Sequence, residues 1–161
     1  MSNSIQIRLS EMRDAGALMK IDSLVWDTRT TPAPIQWNSR EQYLQKCPPG
    51  NQLVAEINGA IGGYVGFNYP TPLSSNRHVL DINIAVHPDY QRQGIGQRLI
   101  EAMKAWAAEQ GVRKLSLRVL TTNPGAMEFY RNCGFVEQGR LIQEFYLNEK
   151  YVDDILMYYM L

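Results

Sequence analysis

The sequence predicts a mixed α/β fold, α+β in kind: one twisted, mostly antiparallel sheet of about seven strands flanked by about four helices. Three observations carry that prediction. Strand-like alternating runs outnumber helical patterns, the elements read β-α-α-β-β-β-α-β-α-β-β, and Asn58-Gly59 is a strong hairpin signal. At 161 residues the chain is expected to form a single domain, 1–161, long enough to bury a sizeable core. Apolar residues make up 45% and charged residues 20%, a balance of globular rather than disordered chains.

The elements follow in order. Ile5 to Leu9 alternates as a strand, and Ser10 is placed to cap a helix reaching Trp26. The apolar face of that helix is Ala17, Leu18, Ile21, Leu24 and Val25. A proline-bearing loop leads to a short second helix, in which Ser39 and Gln42 have capping-box spacing. Two strands then flank Asn58-Gly59. Gly62, Gly63 and Gly66 in the second of them predict a bend or a close approach by another backbone. The next strand sets Leu80, Ile82, Ile84 and Val86 on one face. A long amphipathic helix follows, with Ile95, Leu99, Ala102, Met103 and Trp106 on its apolar side and Gly111 as its stop. Residues 113–120 form a further strand and Asn123 to Gly134 a short helix. The remainder reads as a long hairpin turning near Asn148-Glu149.

Composition narrows function. Sixteen basic and sixteen acidic residues give no net charge, which argues against a general nucleic-acid binder. Cys47 and Cys133 have no CxxC spacing, and His78 and His87 lie far from both, so no zinc site is expected. No basic-then-apolar leader opens the sequence and no apolar run approaches ~18 residues. The expected setting is soluble and cytoplasmic, with no membrane partner. An apolar C-terminal strand leaves a homodimer possible.

The chemistry concentrates in "VHPDYQRQGIGQRLIEAMKAW", Val86 to Trp106. Gly94 and Gly96 open the long helix, and positions 91 to 98 hold no acid. A helix N-terminus offers unpaired N–H groups and roughly half a positive charge. Glycines there would let a bulky anion reach those donors without striking a Cβ. Two or three charge-assisted hydrogen bonds at about 1.5–3 kcal/mol each would hold a pyrophosphate, with Arg92 and Arg98 adding charge at the rim. The alternative is that the glycines merely permit tight strand-to-helix packing. Neither the dinucleotide pattern GxGxxG nor the phosphate-loop pattern GxxxxGK[ST] is completed.

"QRQGIG" resembles the Q/R-x-x-G-x-G/A segment of the GNAT acetyltransferase superfamily. "NPGAMEFYRNCGF", Asn123 to Phe135, is similar to that family's second signature, N-x-x-A-x-x-x-Y-x-x-x-G-F, at every fixed position. The resemblance implies acetyl-CoA as cofactor. Backbone groups of Ile84, Ala85 and Val86 would pair with its pantetheine arm, and the turn Gln91, Arg92, Gln93, Gly94, Ile95, Gly96 and Gln97 would cradle its pyrophosphate. Asn123 would bond the arm or cap its own helix, and Tyr130 would lie near the sulfur, or else be an ordinary core aromatic. The implied reaction is direct acetyl transfer to a primary amine, of a small molecule or a protein, through a tetrahedral intermediate.

A lysine-like amine must shed a proton first, at a cost of about 4.6 kcal/mol at pH 7. Some family members carry a glutamate on the fifth strand for this step, where this chain has Arg118, which cannot act as a base. Asp81 is the preferred substitute, although a surface or hydrogen-bonded aspartate is an equal reading. Asn83 is a candidate to orient a water. Glu144, Asp153 and Asp154 are weaker candidates for the base. The alternative role for Arg118 is to bind an acidic group of the acceptor, whose pocket would be shaped by the first two helices, their loop from Trp26 to Gln45 and the final hairpin. Trp26, Trp37, Tyr43, Phe145, Tyr146 and Tyr151 are candidates to line it. Two other readings stay open: a non-catalytic acyl-CoA-binding sensor or interaction module, and a nucleotide or phosphometabolite binder at the same turn.

Overall fold

The computed structural model describes residues 4–161. Seven strands form one sheet in the order β1-β2-β3-β4-β5-β7-β6. They are β1 (Ile5–Leu9), β2 (Gln52–Ile57), β3 (Ala60–Asn68), β4 (Val79–Val86), β5 (Lys114–Leu120), β6 (Val136–Leu147) and β7 (Lys150–Met160). Four α-helices complete the fold: α1 (Ala15–Val25), α2 (Arg40–Lys46), α3 (Ile95–Glu109) and α4 (Pro124–Asn132). Every strand pair is antiparallel except β4–β5. The mostly antiparallel sheet and the helix count agree with the sequence.

Turn chemistry sets both hairpins. Asn58 and Gly59 adopt φ of 51° and 88°, and Asn148 and Glu149 adopt 52° and 63°, the left-handed pair that matches the twist of the flanking strands. Gly111 and Gly134, with φ of 80° and 94°, follow the ends of α3 and α4 as left-handed stops. The sheet separates two cores. On one face Leu99 and Met103 of α3, Tyr130 of α4 and Phe135 just beyond it pack against Val65, Leu80, Leu117 and Met157. On the other, α1 and α2 pack Leu18, Ile21 and Tyr43 against Val54, Tyr64 and Ala85.

The first helix departs from its expected start and face. Ser10 does not cap it: its hydroxyl donates to Gln52 Oε1 and accepts the Gly50 N–H at 3.0 Å, tying β1 to β2. A 3₁₀ turn at residues 12–14 comes first, closed by the reciprocal capping box of Glu11 and Asp14. Leu24 is exposed, whereas Asp22 is buried, because its carboxylate accepts the indole N–H groups of Trp26 and Trp37 and the hydroxyl of Tyr64. Three donors stabilise a charge the apolar periodicity would place in solvent. The C-terminal strand also has no free edge, since β7 lies between β5 and β6. Its pairing with another copy, expected from its apolar character, is blocked by its own hairpin partner.

Candidate active site

The site grows from one interruption in the sheet. β4 and β5 pair in parallel only where Val79, Leu80 and Asp81 face Lys114, Leu115 and Ser116. Beyond Asp81 the two strands part, β4 held by β3 and β5 held by β7. The N–H of His87 donates to Gly62 on the β3 side. By strand alternation the backbone groups of Ile82, Ile84 and Val86 therefore point into the opening, while those of Ala85 point at β3. Of the three residues expected to offer backbone to a ligand, Ala85 does not, and its side chain is buried on the α1 face. The Val86 carbonyl is already bonded, by the Gln91 side-chain amide at 3.2 Å.

A cavity of about 700 Å³ fills the fork. Ile84, Val86, Gln91, Arg92, Gly94, Ile95, Gly96, Gln97, Asn123 and Tyr130 all line it. Ala85, Gln93 and Asp81 do not; Gln93 instead reaches back to the Asp89 carbonyl at 3.5 Å. Arg98, expected at the rim, lies on a separate surface with Ile7 and Glu101. No aspartate or glutamate lines the cavity, and two arginines, Arg92 and Arg118, do.

The turn at its mouth is shaped for an anion. Gly94 caps α3 with φ of 78°, and Arg92 sits at 63°, a left-handed conformation that costs a non-glycine residue roughly 1–2 kcal/mol. The first α3 amide with a helical partner is that of Arg98, bonded to the Gly94 carbonyl. The preceding N–H groups, from Ile95 to Gln97, are the orphan donors of the helix start. A Cβ on Gly94 would meet nothing within 4 Å, whereas a Cβ on Gly96 would lie 3.2 Å from the Phe129 ring. The pair therefore splits: Gly94 keeps the cradle open and Gly96 admits Phe129.

Tyr130 sits at the inner wall, its ring between Phe129 and Phe135 at 5.3 and 5.8 Å. Its hydroxyl makes no hydrogen bond among the described residues, and burial pushes its pKa well above the ordinary phenol value, with a smaller contribution from Cys133. Asn123 caps α4, its Oδ1 accepting the Ala126 N–H at 3.4 Å, while also lining the cavity. The two readings of that residue are compatible.

A second cavity of about 620 Å³ adjoins the first on the α1 side of the sheet. Trp26, Thr30, Ile82, Asn83 and Arg118 line both. Asp81 lines only this second one, its carboxylate accepting the Ser116 hydroxyl. Asn83 also borders a smaller cavity beside Asp22 and Trp37, and its amide is exposed. Its position depends on Gly66, where a Cβ would fall 2.6 Å from Asn83 Oδ1. The loop from Trp26 to α2 is strapped across the opening by Thr122 Oγ1 donating to the Arg29 carbonyl and by Asn148 Nδ2 donating to Thr28 Oγ1, both at 3.0 Å.

Several expected residues stand elsewhere. Glu144, Asp153 and Asp154 line neither large cavity. Phe145, Tyr146 and Tyr151 belong to the final hairpin, where the last two pack on each other, exposed. Trp37 and Tyr43 lie in the α1–α2 core and its small cavity. Sequence reading places Thr30 only within the loop expected to shape the acceptor pocket and does not place Val119, Leu120 or Phe129 at the site. Only strand alternation in β5 and the spacing of α4 hint at the last three.

Comparison with known proteins identifies the family and the fold. Residues 18–135 match the sequence model of the acetyltransferase (GNAT) family. The L-amino acid N-acyltransferase MnaT of Escherichia coli is 25% identical over 148 residues, covering 86% of this chain and 84% of MnaT. A GNAT-family acetyltransferase from Streptococcus pneumoniae superposes with a TM-score of 0.82 at 30% identity, over 98% of this chain and 99% of that one. The phosphinothricin acetyltransferase of Sinorhizobium meliloti, solved in complex with acetyl-CoA, shares the fold with a TM-score of 0.84 at 19% identity, over 100% of this chain and 89% of its own.

Proposed function

The chain belongs to the acetyltransferase (GNAT) family, and from that premise we propose that it moves an acetyl group from acetyl-CoA to a primary amine by direct transfer. One observation carries the assignment: a cavity free of acidic residues in which the α3 N-terminus, the open edge of β4 and the Tyr130 hydroxyl converge. The residues present fit the cofactor. The orphan amides from Ile95 to Gln97 and the Arg92 guanidinium suit a diphosphate. Ile84, whose backbone groups point into the fork, suits an extended amide-bearing arm in place of a strand partner. When bound, acetyl-CoA supplies an acetyl carbon activated by its thioester.

The chain's own residues do the rest. Tyr130 holds its proton at the phenol oxygen across the physiological range, because burial raises its pKa. It therefore serves as a hydrogen-bond donor toward the departing sulfur rather than as a ready acid. The acceptor amine enters from the α1 side, where Asp81 is the carboxylate of the second cavity and takes the amine proton, directly or through a water oriented by Asn83. With acetyl-CoA bound, the acetyl carbon would pass to the nitrogen as the carbon–sulfur bond broke, and the sulfur would leave as a thiolate that accepts the Tyr130 hydrogen bond and takes up, through solvent, the second proton released by the amine. Trp26 and the strap over residues 27–31 limit water at the junction of the cavities.

Acceptors named for relatives range from L-amino acids, for the E. coli enzyme, to a ribosomal protein alanine. The proposed acceptor class is therefore a small amine or a protein amino group. Titration calorimetry with coenzyme A, with ATP as competitor, tests the cofactor, and thiol release across an amine panel tests the transfer. Expected are saturable coenzyme A binding that ATP does not displace and acetyl-CoA-dependent thiol release. The absence of coenzyme A binding at millimolar concentration refutes the assignment. Binding without thiol release from any amine would leave a sensor in place of an enzyme.

A further inference from the structure

The acceptor-side cavity carries more positive than negative charge, and the excess sits where acceptor meets cofactor. Its charged lining residues are Lys114, Arg118 and Asp81. Arg118 lines both large cavities, and 61% of its side chain is exposed. Its single ion-pair contact is Nη1 to Asp154 Oδ2 at 3.4 Å. That distance is long for a charge-assisted bond, and the rest of the guanidinium fork has no partner among the described residues. Burial pushes the Asp154 carboxyl above the ordinary aspartate value, against a smaller opposing effect of Arg118.

The register puts an acid beside this cation. Asp81 is opposite Ser116 across the last parallel pair, and Arg118 is two residues further along β5 on the same face, about 7 Å on. A carboxylate and a guanidinium thus flank the way from the acceptor cavity to the thioester end. A polyamine or a peptide lysine brings only positive charge past Arg118 and leaves its fork empty. A molecule with an amine next to a carboxylate satisfies both groups.

We propose that the acceptor is a small zwitterion, an α-amino acid or a close analogue, whose carboxylate lies against the Arg118 guanidinium while its amino group faces Asp81. The proposal rests on the acetyl-transfer reading above. Arginine is suited to the role because its planar fork matches a carboxylate with two parallel hydrogen bonds, which an ammonium does not. The residue that removes the expected glutamate base therefore becomes the one that selects and orients the acceptor.

The test compares a panel of L-amino acids with their carboxamides, and with spermidine, on the full chain. Two readouts are taken: thiol release with acetyl-CoA, and calorimetric affinity of each acceptor for protein saturated with coenzyme A, which needs no turnover. At least one amino acid is expected to exceed its own amide by about tenfold or more in kcat/KM and in affinity. In Arg118→Gln that preference falls to within about twofold, through KM, and Arg118→Lys keeps part of it. Amides or spermidine used as well as every amino acid would overturn the proposal, as would a preference undiminished in Arg118→Gln. Loss of the proposal alone leaves acetyl-CoA-dependent thiol release from some amine of the panel intact, whereas failure of the acetyl-transfer reading removes thiol release from every amine.

Discussion

Replacing Tyr130 by phenylalanine isolates one hydroxyl. That hydroxyl has no hydrogen-bond partner among the described residues, so its removal leaves no orphaned group behind. The ring keeps its edge contacts with Phe129 and Phe135. Stability should therefore change by less than about 0.5 kcal/mol, and Tm by less than about 2 °C for a chain of this size. Coenzyme A affinity should stay within about threefold, because the cradle is built from backbone amides elsewhere. A hydrogen bond to a group developing negative charge is worth about 1.5–3 kcal/mol, so kcat should fall about 10- to 150-fold. Burial raises the phenol pKa, so Tyr130 stays protonated from neutral pH into the alkaline range. The ratio of wild-type to variant kcat is then flat from about pH 7 to 10. Thiol-release kinetics, calorimetry and thermal unfolding on one pair of samples give all three quantities. Unchanged turnover would reduce Tyr130 to packing, and a ratio that collapses with rising pH would show that the phenol ionises in range.

Two further perturbations probe the frame around it. Gly94→Ala meets no steric obstacle but forces a side chain into φ of 78°, so thermal unfolding should show a loss of about 1–2 kcal/mol and calorimetry a weaker coenzyme A complex; full stability and affinity would contradict the left-handed cradle. Asp14→Asn removes the bidentate partner of Arg8, held at 2.8 and 3.0 Å in a part-buried setting, and because Glu56 still accepts from Arg8 at 3.3 Å it should cost about 1–3 kcal/mol at pH 7. Arg8 holds the Asp14 carboxyl below the ordinary aspartate range, so this stabilisation is present above about pH 4 and lost as pH falls further. Urea unfolding at neutral and acid pH should show the wild-type advantage shrinking on acidification, and a constant difference would refute the pairing.

Where residues acted through local backbone chemistry, the sequence was legible. Asn58-Gly59 and Asn148-Glu149 specify left-handed turns, and the alternation of Leu80, Ile82, Ile84 and Val86 specifies which side of β4 is core. The glycine pair was half legible. Gly94 is required by the turn conformation itself, but Gly96 answers to Phe129, which lies 33 residues on in the chain. The cap expected at Ser10 fails and the burial of Asp22 goes unsignalled for the same reason, since their partners come from β2, β3 and the loop after α1. A hydrogen bond between distant segments leaves no period in the sequence. Asp81 is legible as an acid on β4, but its place in the α1-side cavity rather than in the fork needs the register with Ser116. The position of Arg118 at the junction of the two cavities likewise has no sequence signal beyond its register in β5.

The whole site follows from ending one parallel ladder after three residue pairs. A parallel neighbour must return through a crossover, here α3, so the N-terminus of that helix necessarily lies at the end of β4 where the ladder fails. The fork is held apart because each strand has another partner: β4 pairs with β3 up to Val86, and β5 pairs with β7 up to Leu120. Strand edges facing a dry gap would cost about 1–3 kcal/mol for each unmet backbone group. The fork is therefore favourable only when filled by water or by a ligand with its own amides. On the proposed reading, a ligand of that kind would run along β4 with its anionic part at the α3 amides. Its reactive end would then be directed toward the last paired residues, Asp81 and Ser116, with Arg118 next along the strand. Backbone topology would thus set where the two substrates meet, and the side chains on the α1 face of β4 and β5 would decide which amine can be presented there.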